Sequence, residues 1–179
     1  MKKNVCVFCG SRHGANPEWT VLTEALGKGI AQRGWKLVFG GGGSGLMGTV
    51  ANAALQHKGE VVGIIPQGLT SEEPVITNLT ELHIVKTMRE RKEMMDDFSD
   101  AFVIIPGGIG TLEELFEVWT ARQVGFHDKP VILANWNGYY DKLLEFIHQS
   151  HRDGFLTQSH LAKLKVVNTL EEIFESLEK

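Results

Sequence analysis

Short apolar runs alternating with longer amphipathic segments constrain this chain more than any other feature of its sequence. "NVCVF" (Asn4 to Phe8), "WKLVF" (Trp35 to Phe39), "VVGII" (Val61 to Ile65), "LHIV", "AFVII", "PVILA" (Pro130 to Ala134) and "LKVV" each read as a strand. They are apolar at successive positions, so both faces of the resulting sheet must be covered. Helical periodicity spans Pro17 to Arg33, Leu46 to His57, Met88 to Phe98, a stretch ending near Gly125, Tyr139 to Arg152, and the residues from Leu170. Strands that alternate with helices predict a parallel sheet joined by right-handed crossovers. The expected fold class is therefore α/β, a doubly wound Rossmann-like sheet flanked by helices. With 179 residues and no repeat or linker, the whole chain (1–179) is expected to form one domain. Gln67 to Thr80 has no clear period and reads as a long loop, a length that in compact domains tends to be functional.

In such folds ligands bind beyond the carboxyl ends of the strands. Two glycine-rich turns lie there. "FGGGGSGLMG" follows the second strand and matches G-x-G-x-x-G twice. Glycines this dense make the match cheap, and Ile65-Pro66 stands where a dinucleotide site expects an acid for the ribose. No G-K-[ST] is present either, which excludes a Walker loop. "PGGIGT", from Pro106 to Thr111, follows the fifth strand and opens a helix. Glycines let backbone N–H groups approach a ligand closely, and a helix N-terminus adds unpaired N–H groups and partial positive charge. The turn reads either as a tight strand-to-helix connection or as a seat for one phosphate.

Two charged residues bear on that choice. In "TMRERKEMMDDF", Met88, Met94, Met95 and Phe98 cluster on one helical face, and Arg91 falls inside that stripe. A core-facing arginine needs an anion, a carboxylate or a phosphate, unless its stem carries the charge out to water. After the glycines, Thr111 and Glu114 have the T-x-x-E spacing of a capping box, which would explain Glu114 structurally. Thr87 and Glu90 share that spacing. On the same wheel Leu112, Leu115, Phe116, Val118 and Trp119 face the core, leaving Glu114 free to stand at the lip of a cleft.

Other features are quieter. Cys6 and Cys9 form C-x-x-C, but no second ligand pair is evident and the segment reads as a strand, so buried packing is expected. A net charge of -4 gives no nucleic-acid or anionic-membrane signature. The apolar run after the first lysines ends at Cys9, too short for a signal peptide, so a cytoplasmic location is expected.

The ordered set "CVFCGS", "GGGGSGLMG", "GIIP", "MRERK", "PGGIGTLEE" and "GFHDKP" resembles the Lonely Guy (LOG) family. These are cytokinin riboside 5'-monophosphate phosphoribohydrolases, often labelled lysine decarboxylase-like. The resemblance thins after about residue 155. It implies a Rossmann-like homodimer with no metal or redox cofactor, while the charge and the lack of a bilayer-length apolar segment give no expectation of a nucleic-acid or membrane partner. The implied reaction is hydrolysis of the N-glycosidic bond of an adenine-type nucleoside 5'-monophosphate. By motif, Arg91 and Glu114 would be the catalytic pair, and Gly107, Gly108, Ile109, Gly110 and Thr111 would hold the phosphate. Leu112, Glu113, Glu73, Lys92 and Thr120 fall at further substrate-binding positions of the family. Arg89 stands where relatives often have histidine, and Ile109 where an aromatic is frequent. A decarboxylase would need a Schiff-base lysine and a partner for the cofactor ring, and no such pair is evident. The alternative to a hydrolase is a module that binds a nucleotide without cleaving it.

Overall fold

A computed structural model describes residues 2–70 and 74–178. Seven parallel strands form one sheet in the order β4-β3-β2-β1-β5-β6-β7. They are β1 (Asn4–Phe8), β2 (Lys36–Phe39), β3 (Glu60–Pro66), β4 (Glu81–Val85), β5 (Ala101–Ile104), β6 (Val131–Ala134) and β7 (Leu164–Val167). The helices are α1 (Glu18–Gln32), α2 (Gly45–Gln56), α3 (Met88–Asp97), α4 (Ile109–Val124), α5 (Asp141–Arg152), α6 (Gln158–Leu161) and α7 (Leu170–Glu178).

Alternation along each strand divides the core into two layers. Val5, Val7 and Cys9 pack with Leu26 and Ile30 of α1, Val50 of α2 and Ile173 of α7. Cys6 and Phe8 pack on the other face with Met95 of α3, Leu115 of α4 and Ile147 of α5. The two cysteines are thus free, buried and on opposite faces of the sheet. This geometry bears out a packing role for the C-x-x-C pair.

The chain builds outward from β1 through β2 and β3 to β4, then α3 returns it to β5 on the other side of β1. The order reverses between β1 and β5, and a cleft opens beyond their carboxyl ends. The turns after these two strands touch: the Gly10 amide donates to the Pro106 carbonyl at 3.1 Å. A side chain on Gly10 would meet Gly107 Cα at 3.3 Å.

Three details depart from the expected elements. Within the expected loop, a 3₁₀ turn spans Gln67–Leu69, and an antiparallel bridge brings Val75 to Gly42 of the first glycine turn. Helix α5 begins at Asp141, because Tyr139 and Tyr140 belong to the turn that precedes it. The short α6 has too few residues to show a period in the sequence.

Candidate functional site

The segment after β5 does not begin its helix at the expected place. Gly108 is the N-cap of α4, and the first helical hydrogen bond runs from the Leu112 amide to the Gly108 carbonyl at 3.1 Å. Thr111 therefore lies inside the first turn, where it is buried, and it caps nothing. The Thr111–Glu114 capping box is not formed. Threonine does cap elsewhere: the Thr87 hydroxyl accepts from the Glu90 amide at 3.1 Å, and full capping boxes form at Thr157 and Thr169. The physical reason is the missing side chain of Gly107, where a Cβ would meet Thr111 Oγ1 at 2.1 Å. Glycine there leaves room for Thr111 inside a first turn that starts three residues earlier than threonine capping would require.

This shift has two consequences. The amides of Gly108, Ile109, Gly110 and Thr111 have no acceptor among the described residues, so an uncapped helix N-terminus faces the cleft. Glu114, one turn further in, is free of the capping role and lines the same cleft.

Glu114 is half-buried, and burial pushes its pKa up from 4.5 to about 7, against the pull of the Arg91 charge. Arg91 reaches the cleft from α3 and is 7% exposed. Its Nε donates to the Ile64 carbonyl at 3.2 Å and its Nη2 to the Gly40 carbonyl at 3.1 Å. Both carbonyls lie at the carboxyl ends of neighbouring strands, β3 and β2. Among the described residues no carboxylate lies within 4.0 Å of the guanidinium. The expected anion is thus not a protein group described here. Two dipoles hold the guanidinium, and its full charge remains directed at the cleft.

The cleft has a volume of about 660 Å³ and is lined by Cys9 to Gly14, Trp19, Leu46, Met47, Met88, Arg91, Pro106 to Thr111, Glu113, Glu114 and Tyr139. Of the residues expected from sequence, it brings together Arg91, Glu114, Glu113 and the whole Gly107–Thr111 segment. Ile109 stands 87% exposed at its mouth. Lys92 and Thr120 are not in its wall. Lys92 pairs with Glu113 and, at 2.8 Å, with Glu117, joining α3 to α4. Thr120 is exposed, and Leu112 is half-buried against the core. Glu73 lies outside the described residues. Phe116, expected in the core, is 39% exposed.

The family model described as "possible lysine decarboxylase" matches residues 47–177. A cytokinin riboside 5'-monophosphate phosphoribohydrolase of Rhodococcoides fascians is 44% identical over 170 residues, 94% of this chain and 86% of its own length. The enzyme of the same name designated LOG3 in Arabidopsis thaliana is 41% identical over 177 residues, 99% of this chain and 82% of its own. The chain belongs to the Lonely Guy family. The fold has further solved likenesses, among them the molybdenum cofactor carrier protein of Chlamydomonas reinhardtii, with a TM-score of 0.75 and 21% identity over 99% of this chain and 96% of that one. At that identity the likeness speaks for the fold alone.

Within this family member, three features of the site were not found from sequence. Gly40 is one: a side chain there would meet Arg91 Nη2 at 1.7 Å, so the first glycine turn makes room for the arginine. Lacking the acid of a dinucleotide fingerprint, the turn serves the site by another route. The "GFHDKP" segment is the second. Lys129 Nζ donates to the Asp96 carbonyl at 2.7 Å and to its carboxylate at 2.8 Å, tying the start of β6 to the end of the helix that carries Arg91. The third is Tyr139, whose only sequence signal was its place in "NGYY".

Proposed function

We propose that this protein hydrolyses the N-glycosidic bond of adenine-type nucleoside 5'-monophosphates, releasing the free base and ribose 5-phosphate. The observation that carries the reading is the pairing, in one cleft, of an uncapped helix N-terminus with a half-buried carboxylate one turn behind it. The names of the relatives agree with it.

The phosphate sits on the amides of Gly107 to Thr111, where unpaired N–H groups and the helix dipole both favour an anion. The C1'–N bond then breaks with its electron pair leaving on the base, and the sugar becomes oxocarbenium-like. Ionised Glu114 bonds the ribose hydroxyls, offsets the positive charge and orients water. Water adds its hydroxyl to C1', and its remaining proton balances the charge on the departing base. Arg91, held from behind by two carbonyls, keeps Glu114 ionised when the site fills or meets the substrate directly. Glu113 lies at the rim of the same wall. Glu73, Lys92, Leu112 and Thr120 remain binding positions by family motif alone.

The working form is a cytoplasmic homodimer. Ile84 (60% exposed), Met88 (45%) and Phe116 (39%) supply apolar surface suited to a second copy. No helix among the described residues is long and apolar enough to cross a membrane.

The deciding experiment is chromatography of reactions with AMP and with N6-isopentenyl-AMP, with Glu114→Gln alongside. Release of base and ribose 5-phosphate by the wild type, reduced at least ~100-fold in the variant, is expected. Full turnover by Glu114→Gln would overturn the scheme. Nucleotide binding without base release would replace the hydrolase with a binding module.

A further inference from the structure

The turn after β6 takes no part in the proposed chemistry, yet it is held from several sides. Asn137 and Gly138 both adopt positive φ, 53° and 70°. Asn135 donates through Nδ2 to the Asp141 carboxylate at 2.7 Å and accepts from the Tyr140 amide at 2.7 Å. Asn137 Nδ2 donates to Glu18 of α1 at 2.8 Å. This scaffold presents two adjacent tyrosines, and both hydroxyls end on the loop that precedes α4. Tyr139 donates to the Gly107 carbonyl at 2.6 Å, and Tyr140 donates to the Ile105 carbonyl at 2.9 Å. Tyr140 is buried, whereas Tyr139 forms part of the cleft wall, edge-on to Trp19 with ring centroids 5.1 Å apart.

The Gly107–Gly108 peptide is trans, so its C=O and N–H point in opposite directions. Anchoring the Gly107 carbonyl on Tyr139 aims the Gly108 N–H away from that ring. This N–H has no acceptor among the described residues, like those of Ile109, Gly110 and Thr111. A peptide between two glycines rotates more easily than any other. Rotated, it would turn a carbonyl oxygen toward the seat where the anion is to bind.

We propose that Tyr139 is a positioning residue: its hydroxyl holds the Gly107–Gly108 peptide in the orientation that accepts a phosphate, and Tyr140 secures the strand end beneath it. The inference rests on the reading of this loop as the 5'-phosphate seat. Its effect belongs to the phosphate and not to the base or to the bond being broken.

The test is Tyr139→Phe in the full chain, a change that keeps the ring and its contact with Trp19. Three quantities are measured: KM and kcat with AMP, the Kd of ribose 5-phosphate by calorimetry, and the inhibition constant of adenosine, which lacks the phosphate. About a tenfold rise is expected in both the KM for AMP and the Kd of ribose 5-phosphate, the loss of roughly one hydrogen bond's worth of binding. The kcat is expected to stay within about threefold and the adenosine constant to stay unchanged. Unaltered phosphate affinity, or equal losses on AMP and adenosine, would overturn the proposal. If wild-type protein binds AMP without cleaving it, the hydrolase reading falls, and the Kd values of AMP and ribose 5-phosphate still decide the role of Tyr139. If it binds neither, both readings fall.

Discussion

Glu114 sits between two opposed influences, burial that favours its neutral form and the Arg91 charge that favours its anion. Burial prevails, and the pKa rises from 4.5 to about 7. A carboxyl with a raised folded-state pKa binds protons more tightly in the native protein than in the unfolded chain, so stability falls as pH rises between those values. Replacing it with the neutral isostere removes this penalty. Glu114→Gln is therefore expected to be more stable than the wild type at pH 8, by about 1–3 kcal/mol, with the gap closing as pH falls toward 4.5 in denaturant titrations. Activity moves the other way: kcat/KM is expected to rise with pH through an apparent pKa near 7, since the ionised form does the work. A profile flat from pH 5 to pH 8 would remove Glu114 from the chemistry. Gly40 gives a second test at this scale. Gly40→Ala puts a methyl group 1.7 Å from Nη2, so the guanidinium must leave the Gly40 and Ile64 carbonyls that hold it. An activity loss of at least ~100-fold is expected with about 1–3 kcal/mol of destabilisation.

At the scale of elements, the start of α4 decides what the site can be. Where threonine caps α3, α6 and α7, a side-chain oxygen occupies the helix N-terminus and leaves less for a ligand. At α4 a glycine takes the N-cap position, and the first amides find no acceptor among the described residues. Gly107 is essential to that geometry, because a Cβ there would meet Thr111 Oγ1 at 2.1 Å and the Gly10 amide nitrogen at 2.8 Å. Gly107→Ala is expected to weaken AMP binding at least tenfold, read as Kd in the Glu114→Gln background so that ligand is not consumed. The link between α3 and α4 through Lys92, Glu113 and Glu117 is of another kind. Both carboxylates are about half exposed to water, so Lys92→Met is expected to cost less than about 1 kcal/mol of stability. A large loss of substrate affinity in Lys92→Met would instead assign Lys92 to the substrate, as the family motif suggests.

For the whole molecule, the sheet order opens the cleft where its two halves meet, and the proposed ligand is expected there. The turns after β1 and β5 touch, and Arg91 arrives from a helix that crosses between those halves. A ligand bound there bridges segments far apart in sequence. At 100 times its Kd, AMP should stabilise Glu114→Gln by about 2.7 kcal/mol. For a chain of this size that corresponds to a rise in Tm of roughly 5–10 °C by scanning calorimetry. The proposed dimer has its own measurement: sedimentation should give twice the chain mass of 19.9 kDa, and Phe116→Glu should shift the species toward monomer.

Much of this was legible in the sequence because it rests on local, periodic signals. Apolar runs such as "AFVII" must be strands buried on both faces, and β5 forms there. Met94, Met95 and Phe98 share a face with Arg91, which forced the arginine inward, and it is buried. That "PGGIGTLEE" joins a strand to a helix could be read because the apolar run, the glycines and the helical period are neighbours in the chain. Tertiary structure decided what depends on distance in sequence or on small differences in backbone energy. Thr111 and Thr87 carry the same T-x-x-E pattern, yet only Thr87 caps, since Thr111 packs against the bare Cα of Gly107 inside a first turn that starts earlier. Arg91 meets the carbonyls of Gly40 and Ile64 because parallel packing sets the ends of β2 and β3 side by side, which no local pattern states. The raised pKa of Glu114 and the hold of Tyr139 on Gly107 arise in the same way: burial and hydrogen bonding are properties of the packed chain, created only when remote segments close on one another.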